Sequence, residues 1–144
     1  MTIRYNVQLQ PYNSFRTRAS ARIFCEPQTA EELSDAIKLF SNERKLVLGG
    51  GFNLFFTRDF DGVVIKPGME GITTVAENEE YVEIEAGAAE EWDQLVGYSV
   101  SRGYAGLENL SLIPSSVGAS PIQNIGAYGT EVKDTIIRER FSSP

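Results

Sequence analysis

Three consecutive glycines, Gly49-Gly50-Gly51, follow directly on the apolar run Leu46-Val47-Leu48. No other short feature constrains the fold as much. The run reads as a buried strand that ends in bare backbone, able to turn sharply and to let N–H groups approach another group closely. The flanking segments agree. Ile23-Phe24-Cys25, closed by Glu26-Pro27, reads as a strand. Thr29-Ala30-Glu31-Glu32 has the capping-box form, and Leu33, Ala36, Ile37 and Phe40 fall on one face, which predicts a helix from Thr29. Val63-Val64-Ile65, stopped by Pro67-Gly68, is a third strand. Residues 23–66 thus read as strand, helix, strand, Gly loop, strand, and the first crossover is long enough for parallel pairing.

The second half opens after Pro67-Gly68. From Tyr81 to Ala86 the chain alternates, with Val82, Ile84 and Ala86 on one face, which predicts a half-buried strand. Residues 90–102 read as a helix. Glu90, Glu91 and Asp93 suit its first turn, Trp92, Leu95, Val96 and Val100 its apolar face, and Gly103 its C-terminal cap. Residues 104–130 differ: Gly106, Pro114, Gly118, Pro121, Gly126 and Gly129 punctuate a stretch with few charges, the mark of backbone packed closely on something. Thr135-Ile136-Ile137 looks like the start of a strand, followed by Arg138-Glu139-Arg140 and Phe141-Ser142-Ser143-Pro144. A fold rarely stops in mid-strand, so the chain of 144 residues reads as truncated.

Composition removes whole classes of chemistry. The chain has no His and one Cys, which excludes an imidazole base, a Cys-His pair, a disulfide within the chain and a Cys-rich metal site. Redox or group-transfer chemistry then belongs to a bound cofactor. The formal net charge is −7, and no Lys or Arg occurs between Lys66 and Arg102. That argues against a nucleic-acid partner, and the acidic run reads as a solubilising face. No apolar run approaches the ~18 residues of a membrane span. The first ten residues lack a signal peptide's apolar block, and the unpaired Cys25 points to a reducing cytoplasm.

Two segments could carry chemistry. Gly49-Gly50-Gly51-Phe52-Asn53-Leu54 is neither a dinucleotide fingerprint, since Leu54 takes the third Gly position, nor a P-loop, since no Gly-Lys-Ser/Thr follows. It is either a phosphate cradle or a tight turn with a Gly bulge. Residues 115–129 combine small residues with the amides Gln123 and Asn124, which can donate and accept at a planar polar heterocycle. Ala119, Ala127 and the glycines leave room for a flat ring, and a long structured loop is the other reading.

Taken together, these segments are specific. The Gly49–Leu54 run, Gly106-Leu107-Glu108-Asn109-Leu110-Ser111-Leu112-Ile113-Pro114 and Val117-Gly118-Ala119-Ser120-Pro121-Ile122-Gln123-Asn124-Ile125-Gly126-Ala127-Tyr128-Gly129 resemble the UDP-N-acetylenolpyruvoylglucosamine reductase (MurB) family. Tyr12-Asn13-Ser14-Phe15 resembles that family's N-terminal Asn-Thr-Phe segment. The match spans residues 12–134 and only the N-terminal part of the family's length. The resemblance implies an α+β, PCMH-type (vanillyl-alcohol-oxidase-like) FAD-binding fold in two lobes, residues 1–66 and an incomplete 67–144, without the substrate-binding C-terminal domain. It implies noncovalent FAD between the lobes, with the backbone of Gly49, Gly50, Gly51, Phe52 and Asn53, and the adjoining Leu54, at the pyrophosphate. Gly118, Ala119, Ser120, Gln123, Asn124, Ile125 and Gly126 would line the flavin and its phosphate linkage, with Pro121 and Tyr128 in the same segment.

The implied activity is NADPH-dependent reduction of UDP-N-acetylglucosamine-enolpyruvate to UDP-N-acetylmuramate for peptidoglycan. The family's proton-donating Ser, catalytic Arg and late Glu belong to segments beyond Pro144, so no catalytic residue is assigned here and the chain alone is expected to be inactive. Two other readings are a truncated flavin-binding module and a different PCMH-type FAD oxidoreductase. Three positions depart from the family pattern: Arg16 and Ser115 stand where Gly is usual, and Phe52 where Ser is usual. Ser115 is tolerable there only if its backbone avoids positive φ.

Overall fold

A computed structural model of the chain describes residues 1–138, which divide into two units, Met1–Met69 and the described residues from Glu70 onward. In the first unit, β1 (Thr2–Gln8), β2 (Ser20–Glu26), β3 (Lys45–Val47) and β4 (Phe60–Ile65) form one sheet in the order β1-β2-β4-β3. β4 runs parallel to both β2 and β3, while β1 is antiparallel to β2. Helix α1 (Ala30–Leu39) makes the crossover from β2 to β3. Thr29 caps it, its hydroxyl accepting from Glu32 N at 3.2 Å. The Glu32 carboxylate accepts in return from Gln28 N at 2.7 Å, one residue before the cap instead of at it.

The sheet buries both faces. Ile23, Cys25, Val63 and Ile65 pack with Ala36 and Phe40 of α1. On the other face Phe24 and Val64 pack with Ala21, Ala19, Leu9 and Leu48. Both sides of β4 are therefore dry, which is why Val63-Val64-Ile65 is a continuous apolar run. Cys25 is a free, buried thiol whose pKa burial pushes up. Two expectations change. Leu46-Val47-Leu48, expected to be buried from its apolar composition, lies at an edge of the sheet, with Val47 exposed and only Leu48 fully buried, because β3 pairs with β4 alone. Strand β1 is new: its core-facing residues are Ile3 and Val7 alone, too few to show a period in Thr2–Gln8.

In the second unit, β5 (Ile72–Glu77) and β6 (Val82–Ala86) form an antiparallel hairpin, and α2 spans Trp92–Ser101. The Asn78 carbonyl oxygen tightens the hairpin turn by accepting from Glu80 N and Tyr81 N. Trp92, Leu95, Val96, Leu110, Ile125 and Val132 form the core. Trp92 is its anchor, and the indole Nε1 donates to Leu110 O at 2.8 Å. The apolar face of α2 is rotated from the expected one. Ser99, one turn beyond Leu95 and Val96, is buried with its hydroxyl donating to Leu95 O, and Val100 is exposed. The helix begins after Glu91, so only Asp93 of the three acids lies in the first turn. Glu90 instead accepts from Gly71 N at 2.6 Å. Gly103 follows the C-cap Arg102 with φ +75°, as the cap required.

Beyond α2 the chain runs through single helical turns, the short α3 (Ser120–Gln123) and the two-residue strands β7 (Gly126–Ala127) and β8 (Thr130–Glu131). Thr135-Ile136-Ile137 is not a strand. Ile136 N donates back to Val132 O at 3.1 Å, and its side chain packs on the core, so the bonds are local. Residues 139–144, with the last charged and Phe-Ser-Ser-Pro segments of the sequence, lie outside the described residues.

Replacing the core indole tests the second unit. Trp92→Phe keeps an apolar ring but strands the buried Leu110 carbonyl, so stability should fall by about 1–3 kcal/mol. A lowered urea midpoint at unchanged slope checks it.

Candidate functional site

The Gly loop rests on a second turn. The Asn13 side chain, 3% exposed, satisfies four polar groups at once, among them the Thr17 hydroxyl, which donates to its Oδ1 at 3.2 Å. Its Nδ2 donates to Leu9 O at 2.8 Å and Thr17 O at 3.2 Å, and its Oδ1 accepts from Thr17 N at 3.0 Å. This closes residues 9–17 into a fixed turn that meets the Gly loop backbone to backbone. Ser14 N donates to Gly51 O at 3.1 Å, and the Ser14 hydroxyl donates to Phe52 O at 2.8 Å. Gly51 has φ +71°, and a Cβ there would stand 2.0 Å from Tyr12 O. Both conformation and space demand glycine. Leu54 and Phe56, which follow the loop, pack against the core on the same side of the sheet. Phe52 folds over its own loop, close enough that a Cβ on Gly50 would meet the ring at 2.3 Å.

The loop can bind an anion. Among the described residues, no acceptor is present for the backbone N–H groups of Gly49, Gly50, Gly51 and Phe52. Arg16, Arg18 and Arg58 make no ion pair among the described residues, and they sit on the segments joined by Phe56 N donating to the Thr17 hydroxyl at 3.3 Å. Residues 1–69 hold nine Lys and Arg against seven Asp and Glu, a formal +2, whereas residues 70–144 hold four against thirteen, a formal −9. The chain's acidity thus lies away in sequence from the Gly loop. Uncommitted backbone N–H groups are what a pyrophosphate needs.

The second segment is built differently. Residues 115–118 run against the backbone before α2: Trp92 N donates to Ser115 O at 2.9 Å, Val117 N to Glu90 O at 2.9 Å and Gly118 N to Ala88 O at 3.0 Å. A Cβ on Gly118 would stand 2.7 Å from the Ala88 Cβ, so glycine lets the two backbones touch. The N–H groups of Ala119 and Ser120 both go to Ser116 O, and those of Asn124 and Ile125 to Pro121 O and Ser120 O. Ser120 is buried, its hydroxyl donating to Val117 O at 2.8 Å, and Ile125 is in the core. Asn124 is left-handed, φ +42°, with Oδ1 accepting from Lys133 N at 3.3 Å. Gln123 and Gly126 are exposed and Pro121 half-buried, while Tyr128 and Gly129, both at positive φ, turn β7 into β8. A two-residue turn with both φ values positive suits a tight hairpin, and Tyr128 is an unusual residue for it.

Does this segment suit a flat, phosphate-linked ring? Ser116 is 5% exposed, and its Oγ is the one buried side-chain polar atom without a partner among the described residues. In a loop that satisfies its other buried polar groups, a lone orphan hydroxyl is what a ligand would complete. The close approach of Gly118 to Ala88 fixes the backbone on which Ser116 stands. Both features fit FAD, the cofactor that the family resemblance implies. The sequence reading placed Asn13 in the segment resembling the family's Asn-Thr-Phe but gave it no role, and it gave none to Thr17 or Ser116. Thr17 has no motif of its own, and Ser116 reveals itself only by lacking a partner among the described residues. No group of three or more His, Cys, Asp or Glu that could hold a metal occurs among the described residues. No helix among them is long and apolar enough to cross a membrane.

Known proteins resemble this chain over most of its length. Residues 21–141 match the family described as FAD binding domain. The chain is 42% identical over 137 residues to the UDP-N-acetylenolpyruvoylglucosamine reductase of Flavobacterium johnsoniae, covering 95% of this chain and 41% of that protein. It is 48% identical over 136 residues to that of Neisseria gonorrhoeae, covering 93% and 39%. The crystal structure of UDP-N-acetylenolpyruvylglucosamine reductase (MurB) from Thermus caldophilus superposes with a TM-score of 0.71 at 25% identity, over 92% of this chain and 47% of that one. The chain therefore spans about two fifths of the length of the curated relatives it matches.

Two substitutions probe the turn and the loop. Arg16 has φ +54° at a place where the family pattern has Gly. Arg16→Gly should relieve about 1 kcal/mol of left-handed strain and raise the melting temperature by about 3 °C. Gly51→Ala should do the reverse, costing about 2 kcal/mol or more through clash and positive φ. Denaturant titration of both variants beside the parent chain reads the two signs.

Proposed function

The chain belongs to the FAD binding domain family, and on that premise we propose that it is the flavin-holding part of a UDP-N-acetylenolpyruvoylglucosamine reductase. Its fold is the PCMH-type FAD-binding fold, mixed α and β. The observation that carries the reading is the Gly loop: Gly51 pressed on Tyr12 O, with uncommitted N–H groups from Gly49 to Phe52. These groups take the pyrophosphate, with Asn53 and Leu54 completing the loop. Gly118, Ala119, Ser120, Pro121, Gln123, Asn124, Ile125, Gly126 and Tyr128 form the segment at the flavin. Within it, the backbone donors of Gly118, Ala119 and Ser120 are already committed, so the Ser116 hydroxyl and the side-chain amides carry the polar contacts. The lobes are residues 1–66 and 67–144, and the division of the chain after Met69 supports that boundary.

When bound, FAD supplies the hydride-transfer chemistry that a chain with no His and one buried Cys lacks. The same composition supports noncovalent attachment within this chain: it has no His for a histidyl linkage, and Cys25 is buried in the first sheet. The whole reductase takes electrons from NADPH and a UDP-sugar enolpyruvate as substrate, in the cytoplasm.

Purified chain mixed with FAD and then desalted should keep flavin absorption bands and melt at a higher temperature than the apoprotein. With NADPH and UDP-N-acetylglucosamine-enolpyruvate it should give no turnover. A colourless protein whose melting ignores FAD would remove the cofactor reading. Turnover would overturn the absence of catalytic residues and leave the cofactor reading in place.

A further inference from the structure

Gly50 is held differently from its neighbour in the Gly loop. Gly51 is locked by its φ of +71° and by Tyr12 O, and both Gly51 O and Phe52 O accept from Ser14. The φ of Gly50 lies outside the left-handed region, so backbone conformation does not demand glycine there. Its N–H has no acceptor among the described residues. What Gly50 does meet is one ring. A Cβ there would have Cε2, Cδ2 and Cζ of Phe52 as its three nearest atoms, at 2.3, 2.6 and 3.4 Å. The phenyl therefore fills the space that a side chain at position 50 would take. Phe52 is half-buried and belongs to neither core of the first sheet, so the fold does not rest on it.

We propose that Phe52 is a positioning residue: its ring braces Gly50 and holds the open N–H groups from Gly49 to Phe52 in place before a ligand arrives. The inference rests on the reading of the Gly loop as the pyrophosphate site. Glycine has more backbone freedom to lose than any other residue, and three in a row make a loop whose ordering opposes binding. A ring packed on the middle glycine removes part of that cost in advance. The ring stands where the family pattern has Ser, so this chain gives up a hydroxyl donor and gains a brace. Gly50 and Gly51 are then both required, one by a neighbouring ring and the other by its own φ and a carbonyl.

The whole 144-residue chain is titrated with FAD and with riboflavin, which carries the isoalloxazine and no phosphate, following flavin fluorescence. Phe52→Ala removes the brace and Phe52→Tyr keeps it. Gly50→Ala sets a methyl group against the ring and pushes it off. Thermal melts of the apoproteins accompany each titration. The expected result is that Phe52→Ala and Gly50→Ala each weaken FAD about tenfold, while the double variant is no weaker than Phe52→Ala alone. Phe52→Tyr should bind FAD like the parent, and riboflavin binding and melting temperatures should not move. Unchanged or tighter FAD binding by Phe52→Ala would overturn the inference, the ring then being idle or an obstacle. So would equal losses of FAD and riboflavin, a melting temperature that falls with the affinity, a Phe52→Tyr variant as weak as Phe52→Ala, or additive losses in the double variant. A parent chain that binds FAD no more tightly than riboflavin would overturn the Gly-loop reading itself.

Discussion

Everything on the Gly-loop side of the first sheet depends on one buried amide. The Asn13 side chain bonds to both ends of the 9–17 turn, to Leu9 O and to Thr17 N and O. A buried polar group is worth its desolvation only when fully satisfied, and Asn13 is. With the turn fixed, Tyr12 O stands where only a glycine can pass, and Ser14 ties the next two carbonyls of the loop. The N–H groups of Gly49, Gly50, Gly51 and Phe52 are then left without an acceptor among the described residues. A flexible loop with the same glycines would spend conformational entropy on ordering before it held a ligand.

The second unit solves the opposite problem. Its segment of small residues is ordered by spending its backbone donors internally, against the strand-like stretch before α2 and within single helical turns. The Gly118 contact with Ala88 and the indole bond from Trp92 to Leu110 O hold that segment on the core. What remains unspent is side-chain chemistry, above all the orphan hydroxyl of Ser116. Anion recognition by bare backbone and ring recognition by a packed surface need these different treatments of the peptide group.

The three departures from the family pattern have three different physical outcomes. Ser115 is harmless: its backbone is not in the positive-φ region, and its hydroxyl donates to Ser116 O. Arg16 does sit at positive φ, a strain that a glycine would not carry. Phe52 brings a ring over Gly50 where a hydroxyl is usual, trading a donor for cover. From letters alone these were equivalent mismatches. Only φ values and neighbours separate them.

Local rules made much of the chain legible. The Thr29 cap, the apolar face of α1, the dry strand at Val63-Val64-Ile65, the Trp92 anchor and the Gly103 cap all follow from interactions within a few residues, where propensity and periodicity act. The absence of His likewise ruled out imidazole chemistry before any fold was considered. What failed were features set by distant partners. The edge position of β3, the polar-looking β1 and the rotation of α2 that buries Ser99 over Val100 depend on which element packs where. The strand expected at residues 135–137 yielded to a local turn for the same reason. The glycines at 51 and 118 were visible as glycines, but that each is required by a particular carbonyl or methyl group is a tertiary fact. So is the bond from the Ser14 hydroxyl to Phe52 O, 38 residues apart in sequence, because contact across such a span is decided by packing and not by the chain's local preferences.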